Sequence, residues 1–286
     1  MLDIRNNPML KAYTGLEGGL VASGSTCGVV TGGAAGIALM HLDALSQAGA
    51  VAEFRILPLV QDYMHWFEKH YGSCLCRYRT GVDFHTPAGQ TRYFLPGDKT
   101  AGCLLHIRGA VRYISELRNR PLPDSDQTAG ADLGRATHCA ATVLEKIAER
   151  TGLSDDTLSR IAFVFDGGVG LSGGVCGALT GAILGINLKL GMDIRNMGYL
   201  RTIQDFIAGH LNLLREKPPA KAEPFSVGNT VVRRFREDAG NIECAAITGK
   251  TFCDYPDFHQ YIGTSRSCRE LMDKAAAYAV AAINAC

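Results

Sequence analysis

Along most of this chain apolar residues recur at steps of three and four, the spacing that gathers them on one face of a helix, and strict alternation of useful length is scarce. The pattern predicts helices over Cys27–Ser46, Val51–Tyr71, Cys103–Arg118, Ala136–Thr151, Ser154–Phe165, Cys176–Leu190, Ile194–Leu214, Val231–Asp238 and Ser267–Ala285. The run "AFVF" at Ala162–Phe165 fits helix or strand equally well. The expected fold is all-α.

Two apolar segments open in the same unusual way. "GGLVASGSTCGVVTGG" at Gly18–Gly33 and "GGVGLSGGVCGALTGA" at Gly167–Ala182 each run through glycines to a cysteine and on into a glycine-spaced helix. Gly18–Leu39 aligns with Gly167–Leu188 without gaps at an offset of 149, with 11 of 22 positions identical. The likeness resumes at "FEKHYGSCLCRYRTG" (Phe67–Gly81) and "FREDAGNIECAAITG" (Phe235–Gly249), which pairs Cys76 with Cys244. A third cysteine follows in each copy, Cys103 and Cys268, at the head of a helical run. Three cysteines kept in order and context point to a tandem duplication. The predicted architecture is therefore two related helical halves with glycine-rich loops at helix N-termini.

The halves are expected over residues 1–120 and 135–286, joined by a linker at about 121–134 within the Pro-, Asp- and Gly-rich stretch "NRPLPDSDQTAGADLG". "REKPPAKAEPFSVG" (Arg215–Gly228) reads as an exposed loop inserted in the second copy. The copies are unequal. A helix bearing Cys139 precedes the second glycine-rich loop, whereas the first copy has a short lead without cysteine, and Cys74 is its candidate replacement.

Charge and composition narrow the function. Lys and Arg number 29 against 28 Asp and Glu, which gives no electrostatic case for nucleic acid or an anionic membrane. The start lacks the basic and apolar regions of an export signal. The most apolar run, Ala178–Leu188, is shorter than the roughly 18–20 residues of a membrane helix. The expectation is a cytoplasmic protein without a membrane span, and a homo-oligomer is compatible with it. Ten cysteines in such a chain point to metal or redox chemistry, since disulfides are rare in a reducing compartment.

The chemistry centres on the glycine-rich cysteines. A cysteine entering a helix lies near unpaired N–H groups and the positive end of the dipole, which favours thiolate over thiol. Gly177, Gly181 and Gly185, like Gly28, Gly32 and Gly36, form a stripe that lets another helix approach closely. A phosphate cradle is excluded because neither copy carries G-x-x-x-x-G-K-[ST]. Zinc usually takes two short-spaced cysteine pairs, which are missing. Widely separated single cysteines on a helical scaffold suit a larger centre. His138 beside Cys139 is a candidate ligand or hydrogen-bond donor behind the ligands, with an ordinary helix-start residue the favoured reading; His70, His106 and His259 have no distinguishing spacing, and Cys253 and Cys286 have no counterparts in the first copy. No C-x-x-C-H occurs, so covalent haem is not expected.

The second half resembles the redox-active C_GCAxxG_C_C family, with Cys139, then Cys176-Gly177-Ala178-x-x-Gly181, Cys244 and Cys268 in order. The first half is similar from Gly18 to about Leu117, with "CGVVTG" in the central element. Members are suspected electron-transfer proteins. The domain also occurs in split-Soret cytochromes, so the resemblance implies an iron–sulfur cluster. The implied ligands are Cys139, Cys176, Cys244 and Cys268 in the second half. Cys27, Cys76, Cys103 and Cys74 would serve a first-half site. The expected function is electron transfer with a redox partner protein or a small-molecule donor or acceptor. A metal-free thiol-disulfide oxidoreductase and a structural zinc scaffold stand as alternatives.

Overall fold

In a computed structural model of the chain, the residues described are 7–118, 120–123, 137–215 and 222–286. Among them are fifteen α-helices and no named strand; β-type pairing is confined to two isolated bridges. The first half comprises α1 (Asn7–Tyr13), α2 (Gly28–Met40), α3 (Leu42–Ala48), α4 (Ala50–Tyr71), α5 (Cys76–Thr80), α6 (Pro87–Phe94) and α7 (Asp98–Leu117). The second comprises α8 (Cys139–Thr151), α9 (Asp156–Ile161), α10 (Gly177–Leu190), α11 (Tyr199–Asn212), α12 (Pro224–Ala239), α13 (Cys244–Thr248), α14 (Tyr255–Thr264) and α15 (Arg266–Asn284).

Several boundaries move for local reasons. The predicted Cys27–Ser46 helix breaks at His41 into α2 and α3. The helix expected from Cys103 begins earlier, at Asp98, leaving Cys103 inside it. The helix expected over Ile194–Leu214 is confined to α11. Part of the proposed loop Arg215–Gly228 is helix instead: Pro224 occupies the first turn of α12, where a missing N–H costs nothing, and the Glu223 carboxylate accepts from the Phe225 and Ser226 N–H groups. "AFVF" forms a 3-10 turn. Most of the proposed linker at 121–134 lies outside the described residues.

The glycine-rich loops fold as a turn of opposite hand. Five consecutive residues, Gly18 to Ala22, have positive φ, and so do the five from Gly167 to Leu171. Glycine takes this conformation freely, whereas Leu20, Val21, Ala22, Val169 and Leu171 pay about 1–2 kcal/mol each for it. All five non-glycine side chains are buried, which offsets that strain.

The halves interlock. The 3-10 turn after α1 packs against α10, where a Cβ on Gly15 would collide with Asn187. Gly170 of the second loop abuts Val60 and Met64 on α4, and reciprocally Gly228 on α12 abuts Val21 of the first loop. The equivalent residues Thr26 and Val175 meet at the centre, where the Val175 N–H donates to the Thr26 hydroxyl at 2.9 Å. Beside them Glu243 accepts from Ser25 and pairs with Arg77. The two copies are thus related about a pseudo-twofold axis through one shared core.

Candidate redox site

Each reversed turn delivers its cysteine to a second one. In the second half an antiparallel bridge pairs Val175 with Glu243. Across it the Cys176 N–H donates to the Ile242 carbonyl at 2.8 Å and the Cys244 N–H to the Gly174 carbonyl at 2.7 Å. Cys176 is the N-cap of α10, Cys244 starts α13, Cys139 starts α8, and Cys268 lies in the first turn of α15. All four line one mostly apolar pocket, with Ile247, Phe252, Phe258, Ile262, Leu271 and Met272 among its other walls. Packing of α8 on the α10 stripe seats Cys139: a Cβ on Gly177 would lie 2.9 Å from that of Cys139, and one on Gly181 would lie 2.6 Å from the Ala140 carbonyl oxygen.

Helix-end N–H groups reach the sulfur of Cys176 as expected, from Ala178 and Leu179, but they do not win. Burial pushes the thiol up to about 11, against those two donors and with Cys268 adding to the rise. Burial likewise raises Cys139 and Cys244, and in both the neighbouring cysteines and Asp166 push the same way. The expected preference for thiolate is therefore reversed in the metal-free protein. Four ionisable sulfurs share one low-dielectric space, and only a cation among them would favour their joint ionisation.

The first half repeats the scaffold with different chemistry. Thr26 bridges to Leu75, with the Cys27 N–H donating to the Cys74 carbonyl at 2.9 Å and the Cys76 N–H to the Ser25 carbonyl at 2.8 Å. Cys27, Cys76 and Cys103 are brought close enough for their charges to interact. Arg79 stands at the position of Ile247 and donates from Nη1 to the Cys27 sulfur at 2.8 Å. Its guanidinium also lies 4.9 Å from the centre of the Phe67 ring and contacts His106. Burial pushes the Cys74 thiol up to about 12, with Glu68 and Cys27 adding to the rise and Arg79 opposing it, so it too lies within reach of the Cys27 charge. Cys74 donates to the Met64 carbonyl and borders a second space. That space is a cleft of about 640 Å³ between the halves, which Cys253, His65 and the Gly170–Gly174 loop also border. Cys286 is exposed at the far end of α15.

A buried network that helical spacing does not reveal surrounds His138. His138 donates from Nδ1 to the Asp166 carboxylate at 2.7 Å, and its Nε2 lies 3.3 Å from Glu53 on α4 of the other half. Asp166 also accepts from the Cys139 N–H at 2.9 Å and from the Tyr255 hydroxyl. Burial opposes charge on His138, but the two carboxylates outweigh it and hold the imidazolium up to about 10. His138 is thus no ordinary helix-start residue. The signal was present in the repeat: Asp166 in "FDGG" aligns with Glu17 in "LEGG", and Glu17 holds a buried histidine too, His210, at 3.1 Å. Arg79 was equally visible as the charge in "CRYRTG" where "CAAITG" has isoleucine.

With two structurally equivalent halves and their cysteines in place, comparison with known proteins gives the class. The sequence matches the C_GCAxxG_C_C family, described as "putative redox-active protein", over residues 1–117 and again over 137–282. The chain belongs to that family and carries its domain twice. No curated protein and no solved structure matches it. Among the described residues no single helix is long and apolar enough to cross a membrane; α2 and α3 reach that length only as a pair bent by 62°.

Proposed function

We propose that the second half holds an iron–sulfur cluster through Cys139, Cys176, Cys244 and Cys268, and that the protein is a one-electron carrier or performs redox chemistry on a small molecule at that cluster. The observation that carries this reading is the convergence of the four cysteines, from four separate helix starts, on one buried apolar pocket. The donor set fits: all-thiolate ligation is the usual one for such clusters. A tetrahedral zinc site with bonds of about 2.3 Å would need sulfurs about 3.8 Å apart. Among the described residues no three His, Cys, Asp or Glu side chains are grouped so as to hold a single metal ion, which bears on zinc and iron alike.

When bound, the cluster would supply one-electron transfer. The chain's own residues would bind it and set its surroundings. The Ala178 and Leu179 N–H groups donate to the Cys176 sulfur and ease its negative charge. Phe252, Phe258, Ile262 and Met272 exclude water. His138 sits between Asp166 and Glu53, one residue from Cys139. In the first half Arg79 brings a permanent cation among the cysteines, donating to Cys27 and acting on Cys74, Cys76 and Cys103, so a single cluster per chain is the reading this asymmetry supports. The partner would be a redox protein or a small donor or acceptor, and the compartment a reducing cytoplasm.

Anaerobic purification with iron, sulfide and EPR analysis tests the proposal. Brown protein with iron and acid-labile sulfide is expected. Cys176→Ser abolishes or strongly alters the signal, whereas Cys253→Ser, on an exposed residue bordering the cleft, leaves it unchanged. Colourless protein containing zinc, or a folded metal-free protein with a redox-titratable dithiol, would overturn it.

A further inference from the structure

The duplication provides an internal template for a surface that the first half leaves bare. In the second half α8 lies along α10 and α15, with Cys139 and Ala140 against Gly177 and Gly181, and Ile147 against Gly185. In the first half a Cβ on Gly32 or Gly36, the equivalents of Gly181 and Gly185, would meet nothing within 4 Å. The partner helix tells the same story position by position. Met272 and Ala276 of α15 are 2% and 0% exposed, but their counterparts on α7, Ile107 and Val111, are 45% and 58% exposed. Leu104 extends that apolar row by one turn. Among the described residues no helix takes the place of α8 here.

We propose that the groove between α2 and α7 is the seat of a helix from a partner protein, and the template states that helix's chemistry. Its inner face must carry small residues where α8 has Ala140, because the glycines of α2 allow close backbone approach only to a slender neighbour. Its flank must be acidic. Lys146 of α8 pairs with Asp273 of α15 at 3.0 Å, and the position of Asp273 is taken in α7 by Arg108. A helix like α8 itself would bring lysine against arginine, which disfavours α8 of a second copy as the occupant. Lying parallel to α2 as α8 lies along α10, the docked helix would start beside Cys27, Cys76 and Cys103, where α8 places Cys139. This proposal rests on shape and charge and not on the metal.

The test uses the full chain and a fluorescent peptide of residues 137–151 carrying Lys146→Glu, read by anisotropy. Saturable one-to-one binding is expected, weakened about tenfold or more by Val111→Glu or Gly32→Leu, both on exposed residues. The unmodified peptide should bind several-fold more weakly, and Arg108→Glu should invert that preference. Absence of saturable binding, or binding indifferent to Val111→Glu and Gly32→Leu, would overturn the proposal. A chain that dimerises on its own and becomes monomeric with Val111→Glu would overturn the assignment to a partner and give the groove to a second copy.

Discussion

Cys176 shows how a residue's surroundings can oppose its local conformation. A helix N-terminus and glycine-rich approach supply donors to its sulfur, yet enclosure by apolar walls and other thiols outweighs them and holds the thiol near 11. At pH 8 its thiolate share is then about one in a thousand. In metal-free protein under reducing conditions, brief alkylation at pH 8 should therefore label exposed Cys253 and Cys286 well before Cys139, Cys176 and Cys244, as read by peptide mass spectrometry. Rapid labelling of Cys176 would show that the pocket is open or its thiol ionised. The sign for stability follows from the same shift. A proton held more tightly in the folded state stabilises below the unfolded value near 9, and this contribution is lost as pH rises toward 11. Thermal stability of the metal-free chain should fall across that window, and less steeply in Cys176→Ala.

At the scale of elements, one glycine stripe serves two different ends. On α10 it is filled, so Gly181→Ala drives a methyl to within 2.6 Å of the Ala140 carbonyl and should cost about 1–3 kcal/mol through overpacking. On α2 the matching Gly32 faces open space, so Gly32→Ala should stabilise by about 0.5–1 kcal/mol through helix propensity alone. Denaturant unfolding of both variants measures the contrast, and equal effects would contradict the exposed groove. The sequence showed both stripes and predicted close helix approach at each, which holds on α10 but not, among the described residues, at Gly32 and Gly36 of α2. Only the structure showed that, among the described residues, this face of α2 stays uncovered. Short helices such as α5, α6, α13 and α14 escaped the periodic pattern because five to ten residues span too few turns to display it.

In the whole molecule the two halves share a core rather than merely a linker. Glu243 pairs with Arg77, His210 with Glu17 and His138 with Glu53, each time across the halves, and each reversed turn packs on the other half's helix. A protease site placed within residues 124–136 should therefore yield fragments that still co-elute at the size of the intact chain. Fragments that separate under native conditions would show that each half is an independent domain. The asymmetry also belongs to this scale, since the four cysteines of one half line a mostly apolar pocket, whereas the other sets an arginine among its cysteines and, among the described residues, leaves a groove uncovered.

The sequence by itself determined the helical class, the duplication, and the cysteines that recur, because these depend on spacing and repetition along the chain. It also carried, unread, the exchange of isoleucine for Arg79 and the pairing of Asp166 with Glu17. Only the tertiary structure decided which side chains face one another. It placed Cys139 with three cysteines distant in sequence, set Arg79 against Cys27, and drew His138 between carboxylates of both halves. It also reversed the expected thiolate preference at Cys176. Helix ends are local and legible, whereas desolvation depends on everything that folds around the sulfur.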